Sequence, residues 1–329
     1  MIRRIPQLFL SLLCCSFACA ACAKNPEITD PAEAAKDPSY AIQGEYAGQG
    51  VWIDGTESKA GAQVIAQGDG KFNIVVTQGG LPGDGWKRGQ SRIFLQGKRE
   101  AEVTTLTSQG ISGKIAGELM TLASADGKAK LELKRTVRHS PTEGAKAPEG
   151  AIVLFDGKTA ENFHHGTLTA DKNLLSEATT KRKFGDYSLH LEFRLSYMPQ
   201  ARGQGRSNSG VYLHDCYETQ VLDSFGLEGA DNECGGFYQL RKPDVNMCFP
   251  PLTWQTYDFN FTAPKYQGGK KTANARVSVK HNGVEIHPEF ELARNTPGRQ
   301  GEAPAPRPFY LQGHGNKVAY RNIWLVEKK

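Results

Sequence analysis

Between Asn208 and Gly226 the chain reads Asn-Ser-Gly-Val-Tyr-Leu-His-Asp-Cys-Tyr-Glu-Thr-Gln-Val-Leu-Asp-Ser-Phe-Gly. Val211 and Leu213, then Tyr217, Thr219 and Val221, alternate with polar or smaller residues, the period-two signature of two short strands. In the second strand Glu218 and Gln220 point to one face and Tyr217, Thr219 and Val221 to the other. A carboxylate and an amide side by side, with Asp223 and Ser224 just beyond, make a grip for sugar hydroxyls or an acid/base site. The same alternation also fits a solvated outer face, the ordinary antiparallel pattern.

Those two strands need a scaffold, and the flanking sequence supplies one. Phe184 to Leu195 alternates cleanly, with Tyr187, Leu189, Leu191, Phe193 and Leu195 inward and Ser188, His190, Glu192 and Arg194 on the other face. Glu192 and Arg194 read as a surface pair, and His190 and His281 as surface residues rather than ligands. Further strand-like runs begin at Ile152, Thr256, Ala275, Phe309 and Ala319, and Asn282-Gly283 marks a tight hairpin. No helix-length amphipathic stretch interrupts them. Residues 151–329 are therefore expected to form a jelly-roll β-sandwich. Ahead of it, residues 40–137 carry six strand-like runs separated by turns such as Gly68-Asp69-Gly70 and Asp126-Gly127-Lys128. That spacing predicts a small antiparallel sheet or open barrel of roughly 100 residues. The glycine-rich loop Gly79 to Trp86 lacks the Lys-Ser/Thr of a phosphate loop, and nothing in this domain looks chemical. Residues 138–150 read as a linker. The fold class is all-β.

The first 21 residues have Arg3 and Arg4, an apolar run from Leu8 to Leu13, and small residues before Cys22. This is the pattern of an export leader. Ala20-Ala21-Cys22 resembles the end of a bacterial lipobox, which would make Cys22 the lipidated first residue of a cell-envelope lipoprotein. Residues 22–39 then read as a tether. Without the two leader arginines the formal charge is 38 − 35 = +3. That value, with no basic stripe, implies no nucleic-acid partner, and no protein partner can be named from the sequence. Beyond the leader lie Cys216, Cys234 and Cys248. In an exported protein a Cys234–Cys248 disulfide around a Gly/Pro-rich loop is expected, worth roughly 3 kcal/mol on the chain-entropy argument. Cys216 is then free. Zinc held by these thiols and His214 matches no familiar spacing.

Five motifs follow one another in a known order: Leu154-Phe155-Asp156-Gly157-Lys158, Lys183-Phe184-Gly185-Asp186-Tyr187, Asn208-Ser209-Gly210-Val211-Tyr212, Tyr217 through Ser224, and Tyr320-Arg321-Asn322-Ile323-Trp324. In these residues 151–329 resemble the 3-keto-disaccharide hydrolase family. The resemblance implies a concanavalin-like sandwich and cleavage of glycosides already oxidised to a ketone at sugar C3. One position departs from the family, which usually carries Asp before the His of Leu311-Gln312-Gly313-His314-Gly315. Here the His stays and the carboxylate is gone.

A C3 ketone acidifies the proton at C2. A base can then remove it and expel the C1 substituent by β-elimination, after which water adds to the enone. That route needs one positioned base, a donor for the enolate oxygen and an acid for the leaving group. Ordinary glycoside hydrolysis needs two carboxylates at set separations. Glu218 is the first candidate base and Asp223 the second. His314 would donate to the leaving group, and Arg321 or Asn208 would hold the enolate. Tyr212 and Gln220 are further substrate contacts, and Tyr238 and Trp254 are candidates to stack on a sugar ring, although aromatics in a sandwich are usually core. The sequence requires no cofactor and leaves a divalent metal open. A non-catalytic carbohydrate-binding module and a structural surface protein are the competing classes, since sandwich folds host all three.

Overall fold

The computed structural model describes residues 25–328. The expected export leader and the expected lipidation site, Cys22, lie outside those residues. The protein is nearly all β, with one barrel and one two-sheet sandwich.

The front domain is a closed barrel in which each strand pairs with its sequence neighbours and the first, Gly44–Val51, pairs with the last, Lys130–Thr136. Closure removes both sheet edges, so the domain has more strands than the six runs suggested. The added ones, Gly44–Val51 and Ile111–Ala116, are rich in glycine and small polar residues. Gly48 and Gly50 are required there, because a Cβ on either would collide with the carbonyl of Glu132 or Lys130 on the partner strand. Tyr46, Val64, Phe72, Ile74, Leu106, Met120 and Leu133 fill the interior.

In the sandwich, one sheet runs Ile152–Phe155, Ala319–Glu327, Tyr187–Arg194, Trp254–Thr262, Ala275–His281 and Val284–Leu292. The facing sheet runs Phe163–His164, Ala178–Thr180, Tyr310–Leu311, Asn208–Leu213 and Tyr217–Leu222. Leu189, Leu191, Phe193, Val211, Leu213, Val221, Phe259 and Phe261 meet between them. Asn282 and Gly283 both have positive φ, as the expected tight hairpin demands.

Three expectations are corrected by packing. His190, His281 and Glu192 are fully buried, not surface residues. For His190 and Glu192 the cause is residues 138–150, which lie across the outer face of the first sheet. Gly144 N–H donates to Glu192, Thr142 to Asp258, and Trp324 and Asn322 to the Ala145 carbonyl. Arg194 pairs with Asp171 instead of Glu192. Residues 25–43 are also docked rather than free: Ile28 bridges Tyr197, Ser196 donates to Glu27, and Tyr197 donates to Asp37. Finally, Cys216, Cys234 and Cys248 are all buried free thiols. Cys234 and Cys248 lie side by side as free thiols, Cys234 also 3.3 Å from the Tyr257 hydroxyl and Cys248 3.5 Å from the Leu222 carbonyl, and the expected disulfide does not join them in this structure.

The barrel grips the sandwich at the segments that flank the 208–222 hairpin. Arg88 donates to the carbonyls of Gly229, Pro243 and Asp244 and pairs with Glu228. Arg202 and Arg206 donate to the Gln67 and Ala66 carbonyls at the end of a barrel strand.

Candidate active site

The hairpin turns at His214 and Asp215, which both take positive φ. Its register places Tyr212 opposite Glu218 and Gly210 opposite Gln220. On the other side, Tyr310 lies opposite Tyr212, and the Gln312 N–H donates to the Gly210 carbonyl. Partners across a ladder share a face. Tyr310, Tyr212 and Glu218 thus form one row, and Gln312, Gly210 and Gln220 the next, on the outer side of the second sheet.

Gly210 sits at the centre of this patch for a physical reason. A Cβ there would run into the Glu218 carboxylate, which leans over the glycine. Tyr212 donates its hydroxyl to Glu218 Oε2 at 2.8 Å and receives a longer bond, 3.4 Å, from Gln312 Nε2. Thr296 Oγ1 accepts the Glu218 backbone N–H at 2.8 Å. The face is not solvated: Glu218 is 3% exposed and Gln220 2%. Burial pushes the Glu218 carboxyl up to about 7, with the Tyr212 hydrogen bond pulling the other way. Such a group is a carboxylate with the basicity of an imidazole, held near neutral pH. Burial likewise raises the Tyr212 phenol well above its usual range, so it stays a donor.

The other sequence candidates divide sharply. Asn208 belongs to the same patch and is wired into it through Gln204 and Gln220. Tyr238 is half-buried on the adjoining loop, and its N–H approaches the Glu218 carbonyl. His314 is exposed on the loop directly after Gln312. Beside it, a Cβ at Gly313 would stand 2.8 Å from Glu177 Cβ, so the Glu177 side chain fills the space an aspartate would need.

Asp223 is not available as a base, because it is buried against Arg206, whose Nε donates to it at 2.6 Å. Arg321 and Trp254 lie on the outer face of the opposite sheet. There Arg321 pairs with Glu192 and Glu143, and the guanidinium groups of Arg321 (4.0 Å) and Arg194 (4.9 Å) both lie over the Trp254 ring. They cannot meet a ligand held at Glu218, since the sandwich core separates the two faces. Glu192 is part of this buried network. Burial alone would raise its carboxyl, but bonds from His190, Asn322, Gly144 and Arg321 bring it down to about 2.

Sequence reading missed the loop residues that complete the patch. Arg299 stacks on the Tyr310 ring at 4.1 Å and pairs with Asp215. Gly298, at φ +95°, lies over Tyr212, where a Cβ would come within 2.7 Å of the hydroxyl. Gln204 reaches in from the turn Gly203–Gly205. No periodic signal marks these residues. Among the described residues, no group of three or more His, Cys, Asp or Glu side chains converges as a metal site.

Residues 150–326 match the 3-keto-α-glucoside-1,2-lyase-like domain. The chain belongs to this family. The five ordered motifs fall within the matched span. A candidate glycosyl hydrolase from Parabacteroides distasonis is 28% identical, with a TM-score of 0.50, over 55% of this chain and 85% of that one. A second from the same organism is 16% identical over 59% of this chain and 99% of that one, with a TM-score of 0.41. No curated protein matches the chain.

Proposed function

We propose that the Glu218 face cleaves 3-keto-glycosides by β-elimination. One observation carries the reading: a single buried carboxylate whose pKa is raised to about 7, held by a tyrosine over a glycine floor. Glu218 takes the C2 proton. The electron pair moves through the enolate into a C1–C2 double bond, the C1–O bond breaks, and the departing oxygen is protonated. Water addition to the enone is a separate step. The strand positions of this face offer one carboxylate, whereas ordinary glycoside hydrolysis requires two. Family membership and the likeness to a candidate glycosyl hydrolase support glycosidic-bond cleavage as the reaction class.

Arg299 replaces Arg321 as the cation beside the site, where it is suited to stabilise the enolate. His314, exposed at the rim, is the group suited to protonate the leaving oxygen. The export leader and Cys22 point to the cell envelope, so the substrate would be an extracytoplasmic saccharide. Incubating the protein with a 3-keto-disaccharide and with its unoxidised parent tests the reaction. Consumption of the ketone alone is expected. Consumption of neither, with retained binding, would make this a carbohydrate-binding module, and cleavage of the parent would make it an ordinary glycosidase.

A further inference from the structure

The orientation of the Gln220 amide is decided by a chain of bonds that begins outside the site. The Asn232 backbone carbonyl can only accept, so Gln204 Nε2, 2.7 Å away, must face it. Gln204 Oε1 is thereby turned towards Asn208 Nδ2 at 3.0 Å and Gln220 Nε2 at 2.9 Å. Asn208 is fixed in the same way. Its Nδ2 also donates to the Gln204 backbone carbonyl at 2.8 Å, leaving Oδ1 to face Gln220 Nε2 at 3.3 Å. Both hydrogens of the Gln220 amide are therefore spoken for. Its Oε1 is buried and has no hydrogen-bond partner among the described residues. Across Gly210, Gln312 Oε1 is likewise unpartnered, with Nε2 turned to the Tyr212 hydroxyl. An unfilled buried acceptor is costly, and the ligand that fills it must bring a donor.

We infer that Gln204 is a positioning residue that sets Gln220 as an obligate acceptor, so that the site selects a substrate hydroxyl next to the bond Glu218 attacks. This rests on the reading of the Glu218 face as the keto-glycoside site. It also assigns the barrel a role. The segment bearing Gln204 is anchored by Arg202 to the Gln67 carbonyl at 2.8 Å and by Arg206 to the Ala66 carbonyl at 3.3 Å. Asn232, at the other end of the chain of bonds, belongs to the loop that Arg88 grips. The barrel holds both ends of the amide relay.

The test uses the full chain and a set of 3-keto-glycosides in which single hydroxyls are replaced by fluorine, which does not donate a proton. The wild-type arm is run first, on the unsubstituted substrate; if nothing is cleaved, the reading of the site fails before any variant is made. With cleavage established, fluorine at one position should raise KM on the order of tenfold. In Gln204→Leu and Gln204→Ala the Gln220 amide loses its 2.9 Å partner and keeps only the 3.3 Å contact to Asn208 Oδ1, so its orientation is held less firmly. KM for the hydroxyl substrate should rise, and the fluorine penalty at that position should shrink. The pH midpoint of kcat, set by Glu218, should not move. Wild-type KM and fluorine discrimination in the Leu and Ala variants would overturn the inference. So would a fall in kcat at unchanged KM, or a wild-type enzyme indifferent to fluorine at every position.

Discussion

Replacing Glu218 by Gln should stabilise the protein, and only above a definable pH. The unfolded chain ionises this carboxyl near its ordinary value of 4.5, whereas the folded protein holds the proton up to about 7. Between those values the native state binds more protons than the unfolded state, so stability falls as pH rises. A shift of that size corresponds to roughly 3 kcal/mol once the pH exceeds 7. Glutamine has nearly the shape of the protonated acid and can still accept from Tyr212, but it never ionises. The stability difference between Glu218→Gln and wild type should therefore be small at pH 4. It should grow through pH 4.5–7 to about 3 kcal/mol in favour of the variant and then level off. Urea unfolding of both proteins at a series of pH values measures it. A difference that stays constant across the series would mean that Glu218 ionises as an ordinary carboxylate, and the argument for a desolvated base would fail.

Asp223→Asn leaves the Arg206 charge buried without its counter-ion and should cost about 3–5 kcal/mol in urea unfolding. Folded variant should still exchange a substrate C2 proton, and loss of exchange at unchanged stability would return Asp223 to the list of bases. Arg321→Ala removes bonds to Glu192 and Glu143 and should cost about 1–3 kcal/mol while leaving KM for a 3-keto-disaccharide unaltered; a tenfold rise in KM at unchanged stability would restore it as a substrate contact. Peptide mapping without reduction should recover Cys234 and Cys248 as separately alkylated thiols, and a linked peptide pair would reinstate the disulfide.

Where one face of a strand is buried, the sequence was legible. Tyr187 to Leu195 shows its core face by alternation, and Asn282-Gly283 announces its hairpin by the backbone geometry it alone tolerates. Glu218, Gln220 and Tyr212 were found together because neighbours on a hairpin share a face. Four things were hidden. Gly44–Val51 has too little apolar character to read as a strand, since its glycines serve close approach to the next strand. Arg321 and Trp254 alternate like site residues, but alternation does not say which of two sheets a face belongs to. Gln204 and Arg299 come from loops, where position is set by tertiary contacts and not by period. The buried state of His190 and Glu192 was hidden for a related reason, because it depends on a linker that folds back over them, its Gly144 standing 48 residues before Glu192.

The central claim is that Glu218 removes the proton at C2. It is tested most directly by exchange of that proton of a 3-keto-glycoside into deuterated water, a readout that isolates abstraction from departure of the leaving group. Wild-type protein should exchange it at a rate that rises with pH through about 7, as the raised carboxyl ionises. Glu218→Gln should exchange it about 10²–10⁴-fold more slowly, the usual worth of a general base, while still binding the sugar. Exchange by Glu218→Gln at the wild-type rate would contradict the account.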